Sequence, residues 1–175
     1  MKKFAIPFFL LGTLAMVYVM VRTGASLKTP NTPNGIIDLE FACNTEKTNT
    51  VINTWASINH EDTITAAKQN TWLDFIFIFF YAGFLFLAAK NISRSFGGFF
   101  GKAGKIVAKA VLAAALLDVL ENTGMLITLW GNGSGTISFL TTTCSLIKWG
   151  LVILSVIYVL TGSVGLMRSK LKGRN

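Results

Sequence analysis

One short segment of the chain places three polar side chains at helical spacing. Asp118, Glu121 and Asn122 are three and four residues apart, so they share one face if the segment is a helix. Their neighbours are apolar, and Ala114 continues the same face with a small side chain. Ionisable groups are costly in lipid and tend to face protein or water. Two carboxyls and an amide on such a face could bind a cation, carry a proton or hydrogen-bond a polar ligand.

Other apolar segments carry polar residues at similar depth. Counted from the outer ends of their segments at about 1.5 Å per residue, Glu121, Lys148 and Tyr81 lie roughly 14 to 16 Å deep, and Asp118 about 18 Å. Asp74 lies nearer the surface. Polar groups from three helices therefore fall at a common depth, which predicts one shared site. The predicted ligand-binding residues are Asp74, Tyr81, Asp118, Glu121, Asn122 and Lys148.

A structural role is the alternative for the same residues. Lys148 paired with Asp118 or Glu121 could only hold the helices in register, with Asn122 and Tyr81 as interhelical hydrogen-bond partners. One such pair accounts for one acid and leaves a second carboxyl beside it. Two acids that share one base in a poorly solvated site should not both be ionised. The sequence leaves both the site and the structural role open.

The elements that hold these residues are membrane-like. Of the 175 residues, 52% are hydrophobic and only 14% are charged, and the mean hydropathy is +0.56. Apolar stretches at 4–21, 72–89, 106–130 and 137–167 are each long enough to cross a bilayer, which takes about 20 residues. We therefore predict an all-α fold over residues 1–175: one membrane domain that is an antiparallel four-helix bundle. The first stretch resembles a signal peptide, but its length and Arg22 favour its retention as a span.

The basic residues predict that both termini are cytoplasmic. Lys and Arg near span ends are retained on the cytoplasmic side. An N-in, C-in arrangement places most bases there and none of the acids, because the cytoplasmic ends and the loop 90–105 carry Lys2, Lys3, Lys90, Arg94, Lys102, Lys105, Lys109, Arg168, Lys170, Lys172 and Arg174. The expected location is the bacterial inner membrane, as a multi-pass protein.

The outer loop, residues 23–70, is predicted to be an ordered cap. Apolar and polar residues alternate weakly over 36–41, as in a strand. Asn44 or Thr45 can then cap an amphipathic helix that has Val51 and Trp55 on one face. Residues 59–62 are expected to break this helix before the second span. The cap could cover the mouth of the site or lie on the membrane surface.

Several chemistries find no support in the sequence. One histidine, in the loop, and two cysteines, Cys43 and Cys144, offer no metal site, and no CxxC or Ser-His-Asp pattern occurs. No catalytic residue, metal or cofactor is predicted, and an enzyme that uses the acid pair is the less favoured alternative. The net charge of +8 is explained by the basic residues that keep the span ends in the cytoplasm, so no nucleic-acid partner is expected. The expected partners are membrane lipids, with a protein partner or a homo-oligomer also possible.

Four segments together carry a resemblance to a known family. They are Asp38-Leu-Glu40-Phe41-Ala42, Trp55, Leu73-Asp74-Phe75-Ile-Phe77 with Tyr81, and Leu117-Asp118-Val-Leu-Glu121-Asn122. Over residues 36–160 the chain resembles a family of small bacterial four-span membrane proteins to which no activity is assigned. The resemblance implies that the loop segment, Asp74, Tyr81 and the Asp-x-x-Glu-Asn face belong to one recurring arrangement.

Three functions follow from these observations. The favoured one is binding of a lipid-like or amphiphilic ligand in an intramembrane polar site that opens to the outer side. The first alternative is an accessory or structural subunit of a larger membrane complex. The second is transport of a proton or small cation.

Overall fold

The computed structural model describes the backbone of residues 2–172 and their side chains, except those of residues 2, 3, 59–61 and 170–172. Over this range the chain is all-helical, with no strand. A short 3-10 helix follows α1, and a π-helical turn, Thr128–Asn132, joins α4 to α5. The helices are α1 (Lys2–Thr23), α2 (Ile36–Glu40), α3 (Thr45–Ser95), α4 (Gly98–Ile127) and α5 (Gly135–Lys172).

Three of the helices are long and apolar enough to cross a membrane. These stretches are Phe4–Thr23 in α1, Asp62–Ser95 in α3 and Gly135–Ser169 in α5. Large apolar side chains such as Phe8, Phe79 and Leu154 are exposed on their surfaces, as expected for helices that face lipid. α4, which carries the predicted polar face, is not among the three, so a span at 106–130 stays a prediction.

The helices pack in chain order, with α3 as the shared neighbour. α1 packs on α3, α3 on α4 and α4 on α5, and α3 also contacts α5. Close approach of α1 and α3 depends on two glycines, because the ring of Phe80 fills the space beside Gly12 and the ring of Phe9 fills the space beside Gly83. α3, α4 and α5 close around small residues such as Ala89 and Ala108.

Three local predictions were wrong. Residues 36–41 are not strand-like, because α2 begins after Gly35, whose φ of 64° favours glycine, and ends at Glu40. Residues 59–62 do not break the helix: α3 runs continuously from Thr45 to Ser95, since the segment holds no Gly or Pro. The connection between α3 and α4 is only Phe96 and Gly97, so the helices extend through most of 90–105. The side chains of His60 and of Lys2, Lys3, Lys170, Lys172 and Arg174 lie outside the described residues.

The segment between α1 and α3 is tied to the helices by buried polar contacts. Trp55, fully buried, donates from Nε1 to the Leu27 carbonyl at 2.9 Å, and Asn70 donates to the Met20 carbonyl at 3.0 Å. Thr142 of α5 donates to the carbonyl of Glu40 at 2.9 Å. Because α2 is fixed at its C-terminal residue, the Glu40 side chain is held beside α5.

Candidate functional site

Lys148 of α5 lies between two carboxyls of α4. Its Nζ is 3.0 Å from Oδ1 of Asp118, and 2.9 and 2.8 Å from Oε1 and Oε2 of Glu121. All three side chains are buried. The i, i+3 spacing of the acids brings both carboxyls to one ammonium, whereas the sequence predicted a pair with one acid or the other. Charge-assisted hydrogen bonds of this length hold α4 and α5 in a fixed register.

Tyr81 of α3 is the second hydrogen-bond donor to Asp118. Its hydroxyl donates to Oδ2 of Asp118 at 2.7 Å, while Oδ1 accepts from Lys148. One buried carboxyl is therefore the shared acceptor of groups from α3 and α5. Its two oxygens are both occupied by protein donors.

Asp74 and Asn122 form a second contact between α3 and α4. Nδ2 of Asn122 donates to Oδ2 of Asp74 at 2.6 Å. Asn122 lies one turn beyond Asp118 in α4, and Asp74 lies seven residues before Tyr81 in α3, so this contact lies on the side of the Tyr81–Asp118 contact that is nearer the C-terminal end of α4. The carbonyl oxygen of Asn122 is buried and has no hydrogen-bond partner among the described residues. A buried amide oxygen without a donor costs about 1–3 kcal/mol unless water or a ligand satisfies it.

Glu40 is a site residue that the sequence reasoning missed. Its Oε2 is 3.7 Å from Nζ of Lys148 and accepts from Nε1 of Trp149 at 3.3 Å. The indole ring of Trp149 also lies 5.5 Å from Nζ of Lys148. Neither Glu40 nor Trp149 belongs to the predicted polar face. The one sequence signal for Glu40 was its place in the segment that carries the family resemblance.

A groove of about 270 Å³ begins at these side chains and continues along apolar ones. Glu40, Asp74, Asp118 and Lys148 line one end. The rest of the wall is mainly apolar, and the remaining lining residues are Thr13 of α1, Phe77, Tyr81, Phe84 and Leu85 of α3, and Trp149, Val152 and Val156 of α5. From Lys148 to Val156 the groove follows α5 for about 12 Å. The site therefore combines a polar end and an apolar wall.

The structure brings all six predicted residues together, at unequal positions. Asp74, Tyr81, Asp118 and Lys148 line the groove. Glu121 and Asn122, with 0% and 1% exposure, lie behind these and are not part of its wall. No group of three or more His, Cys, Asp or Glu side chains among the described residues has the geometry to hold a metal ion. A cation already occupies the centre of the cluster, because Lys148 lies there.

No protein-family model, curated protein or solved structure matches this chain. The resemblance to small four-span membrane proteins therefore stays a prediction, and the geometry of the site carries the functional argument.

Proposed function

We propose that the chain is a four-span membrane protein of the bacterial inner membrane that binds an amphiphilic molecule in the groove between α1, α3 and α5. The polar head of the ligand lies at the carboxyls, and its apolar part lies along Phe77, Phe84 and Val156. The observation that carries the proposal is the continuity of the groove from a buried acid cluster onto an apolar wall. An apolar wall of this length favours a ligand with an apolar part, because burial of apolar surface is favourable in proportion to the area buried.

The position of the opening supports a ligand that arrives from the lipid. Trp149 and Val156, which line the groove, are 40% and 37% exposed. Both lie well inside the apolar stretch Gly135–Ser169 of α5. An opening at that depth faces acyl chains instead of water, so a molecule already dissolved in the bilayer can enter sideways.

The proposed orientation rests on charge and on the outer segment. Exposed bases Lys90, Arg94, Lys102, Lys105 and Lys109 gather where α3 ends and α4 begins. Cytoplasmic retention of Lys and Arg then puts both termini inside. α2 and the first half of α3 lie on the opposite side, where they cap the polar end of the groove.

A structural role is the second candidate, and one observation favours it. The contacts of Lys148 with Asp118 and Glu121 hold α4 and α5 together whether or not a ligand binds. They do not account for Asp74 and Glu40, which line the groove. Amphiphile binding accounts for both groups of residues. Proton or cation transport remains an alternative that the acid cluster permits.

Adjacent residues of α5 provide the test of the groove. Val156 lines it, whereas Ile157 is 52% exposed and does not. Val156→Trp should fill the groove and lower the fraction of protein that carries a bound amphiphile in native mass spectrometry. Ile157→Trp adds the same bulk at the same depth and should leave that fraction unchanged. Equal occupancy in the two variants, or no bound amphiphile in the wild type, would overturn the proposal.

A further inference from the structure

We propose that the head of the bound amphiphile is a protonated amine, held between the carboxyls of Glu40 and Asp74. The inference rests on the proposed function, because it assigns the head-group chemistry of the same groove. Two independent properties of the site carry it: the balance of charges, and the balance of hydrogen-bond donors and acceptors.

Acids outnumber bases in the site. Three carboxyls, those of Glu40, Asp118 and Glu121, lie within 3.7 Å of one ammonium, and Asp74 lines the same groove as a fourth acid. Lys148 lies within 3.0 Å of both Asp118 and Glu121, so its charge is already shared by two acids. Glu40 is a more distant partner of the same ammonium, at 3.7 Å, and among the described residues Asp74 has only an amide as its hydrogen-bond partner. A cationic head complements this field, and an anionic head is repelled by it.

Every hydrogen-bond donor that lines the groove is already used. Thr13 donates to the carbonyl of Phe9, Tyr81 to Asp118 and the indole of Trp149 to Glu40. Lys148 is directed at carboxyl oxygens.

The atoms left without partners are acceptors. Within the site, as far as the structure describes it, these are Oε1 of Glu40 and Oδ1 of Asp74, both in groove-lining residues. Behind them lie the buried carbonyl oxygen of Asn122 and Oε2 of Glu121, which contacts Lys148 only as an ion pair. When Glu40 and Asp74 are ionised, their free oxygens are acceptors, and a ligand head that donates hydrogen bonds can satisfy them.

A protonated primary amine meets both requirements, because it carries a positive charge and three N–H groups. A trimethylammonium group has the charge but no N–H donor. A phosphate or carboxylate has neither. The amine could belong to the aminoethyl head group of a phospholipid or to a free single-chain amine, and the two sources share this recognition chemistry.

Single-chain probes that differ only at the head can test the inference. Purified wild-type protein in neutral detergent is titrated with dodecylamine, dodecyltrimethylammonium, dodecanol and dodecanoate, and binding is measured by native mass spectrometry. Dodecylamine should bind about tenfold more tightly than each of the other three. Glu40→Gln and Asp74→Asn should each remove most of that preference. Glu46→Gln, which neutralises an exposed acid at the start of α3, is the matched control and should keep it.

The outcomes separate this inference from the proposed function. Binding of all four probes with equal affinity would overturn the amine head and leave the groove as an amphiphile site. Failure of every probe to bind the folded wild-type protein would overturn both. Loss of preference in Glu46→Gln as well as Glu40→Gln would also contradict the inference, because a general surface charge effect would then explain it.

Lipid mixtures distinguish the two sources of amine. The protein is reconstituted in nanodiscs that hold equal amounts of phosphatidylethanolamine, phosphatidylglycerol and phosphatidylcholine, and the lipids retained on extraction are identified. Enrichment of phosphatidylethanolamine that Asp74→Asn abolishes supports the lipid source. Preference for dodecylamine without such enrichment supports a free amine. Enrichment of phosphatidylglycerol would overturn the inference, since its head group is anionic.

Discussion

Tyr81 and Asp118 join α3 to α4 through a hydrogen bond of 2.7 Å from a phenol to a buried carboxyl. The same carboxyl accepts from Lys148 of α5 through its other oxygen. Asp118 is thus the point at which α3, α4 and α5 meet. Because α3 and α5 form most of the groove wall, the shape of the groove is sensitive to this side chain.

Removal of the Tyr81 hydroxyl should measure that dependence. Tyr81→Phe leaves Oδ2 of Asp118 buried without a donor, and a hydrogen bond to a charged group contributes about 1.5–3 kcal/mol. We expect a clear fall in the melting temperature in detergent. Tyr158→Phe, which removes a neutral bond of 3.1 Å to the carbonyl of Phe100, should cost about 0.5–1.5 kcal/mol. Tyr18→Phe alters an exposed side chain and is the control. Equal effects of all three changes would contradict a special role for Asp118.

Lys148 should be among the most sensitive positions of the chain. Lys148→Met leaves two buried carboxyls without their cation, and breaking a buried pair costs about 3–5 kcal/mol. The matched control is Lys105→Met, which removes an exposed lysine of α4 and should change the free energy of unfolding little.

Double variants then identify the partner of Lys148. Since both acids lie within 3.0 Å of Nζ, Lys148→Met should be partly rescued by Asp118→Asn and partly by Glu121→Gln. Only the combination of all three changes should approach the stability of the wild type. Stability changes that simply add in the double variants would show that Lys148 is not coupled to these acids.

The common depth of Tyr81, Asp118, Glu121 and Lys148 could be predicted because helices advance by a constant rise per residue. Once the outer ends of the apolar segments are fixed, each polar residue has a known depth, and antiparallel neighbours meet at equal depth. The contact of Asp74 with Asn122 does not follow from this count, which placed Asp74 nearer the surface than the other polar residues. Whether a given residue lines the groove or lies behind it depends on helix rotation, which the count does not supply.

Glu40 could not be found by periodicity. It ends a helix of five residues in a segment whose position is set by distant contacts, including that of its own carbonyl with Thr142. The same limitation explains why 36–41 was predicted as strand-like: six residues are too few to distinguish a period of 2 from one of 3.6. At 59–62 the polar composition indicated a break. Polar residues lower helix propensity only slightly, however, and tertiary contacts on either side of the segment keep it helical.

The proposed topology can be tested with single cysteines at exposed positions. After Cys43 and Cys144 are replaced by serine, Ser26→Cys and Asn31→Cys should react with a membrane-impermeant thiol reagent from outside the cell. Phe99→Cys, at a side chain that is 88% exposed in the described structure, and Ser169→Cys should react only after the membrane is opened. The expected pattern follows from retention of the basic ends in the cytoplasm.

The reverse labelling pattern would show that the protein has the opposite orientation, with the acid cluster near the cytoplasmic side. Labelling of Ser26→Cys and Phe99→Cys from the same side would exclude a crossing by α3, the long helix between these two positions. Because all four positions are exposed, a lack of reaction reports the side of the membrane and not burial in the protein.

The last prediction concerns the packing of α1, which carries Thr13 to the groove. The space beside Gly12 is filled by the ring of Phe80, so Gly12→Ala should push α1 away from α3 at a cost of about 1–3 kcal/mol. Gly150 of α5 has no atom within 4 Å of a would-be Cβ, and Gly150→Ala should be neutral or stabilising by up to about 1 kcal/mol. Thr13 adjoins Gly12, so Gly12→Ala should also reduce amphiphile occupancy in native mass spectrometry, whereas Gly150→Ala should not. If Gly12→Ala lowers the melting temperature but leaves occupancy intact, α1 braces the helices without forming part of the ligand site.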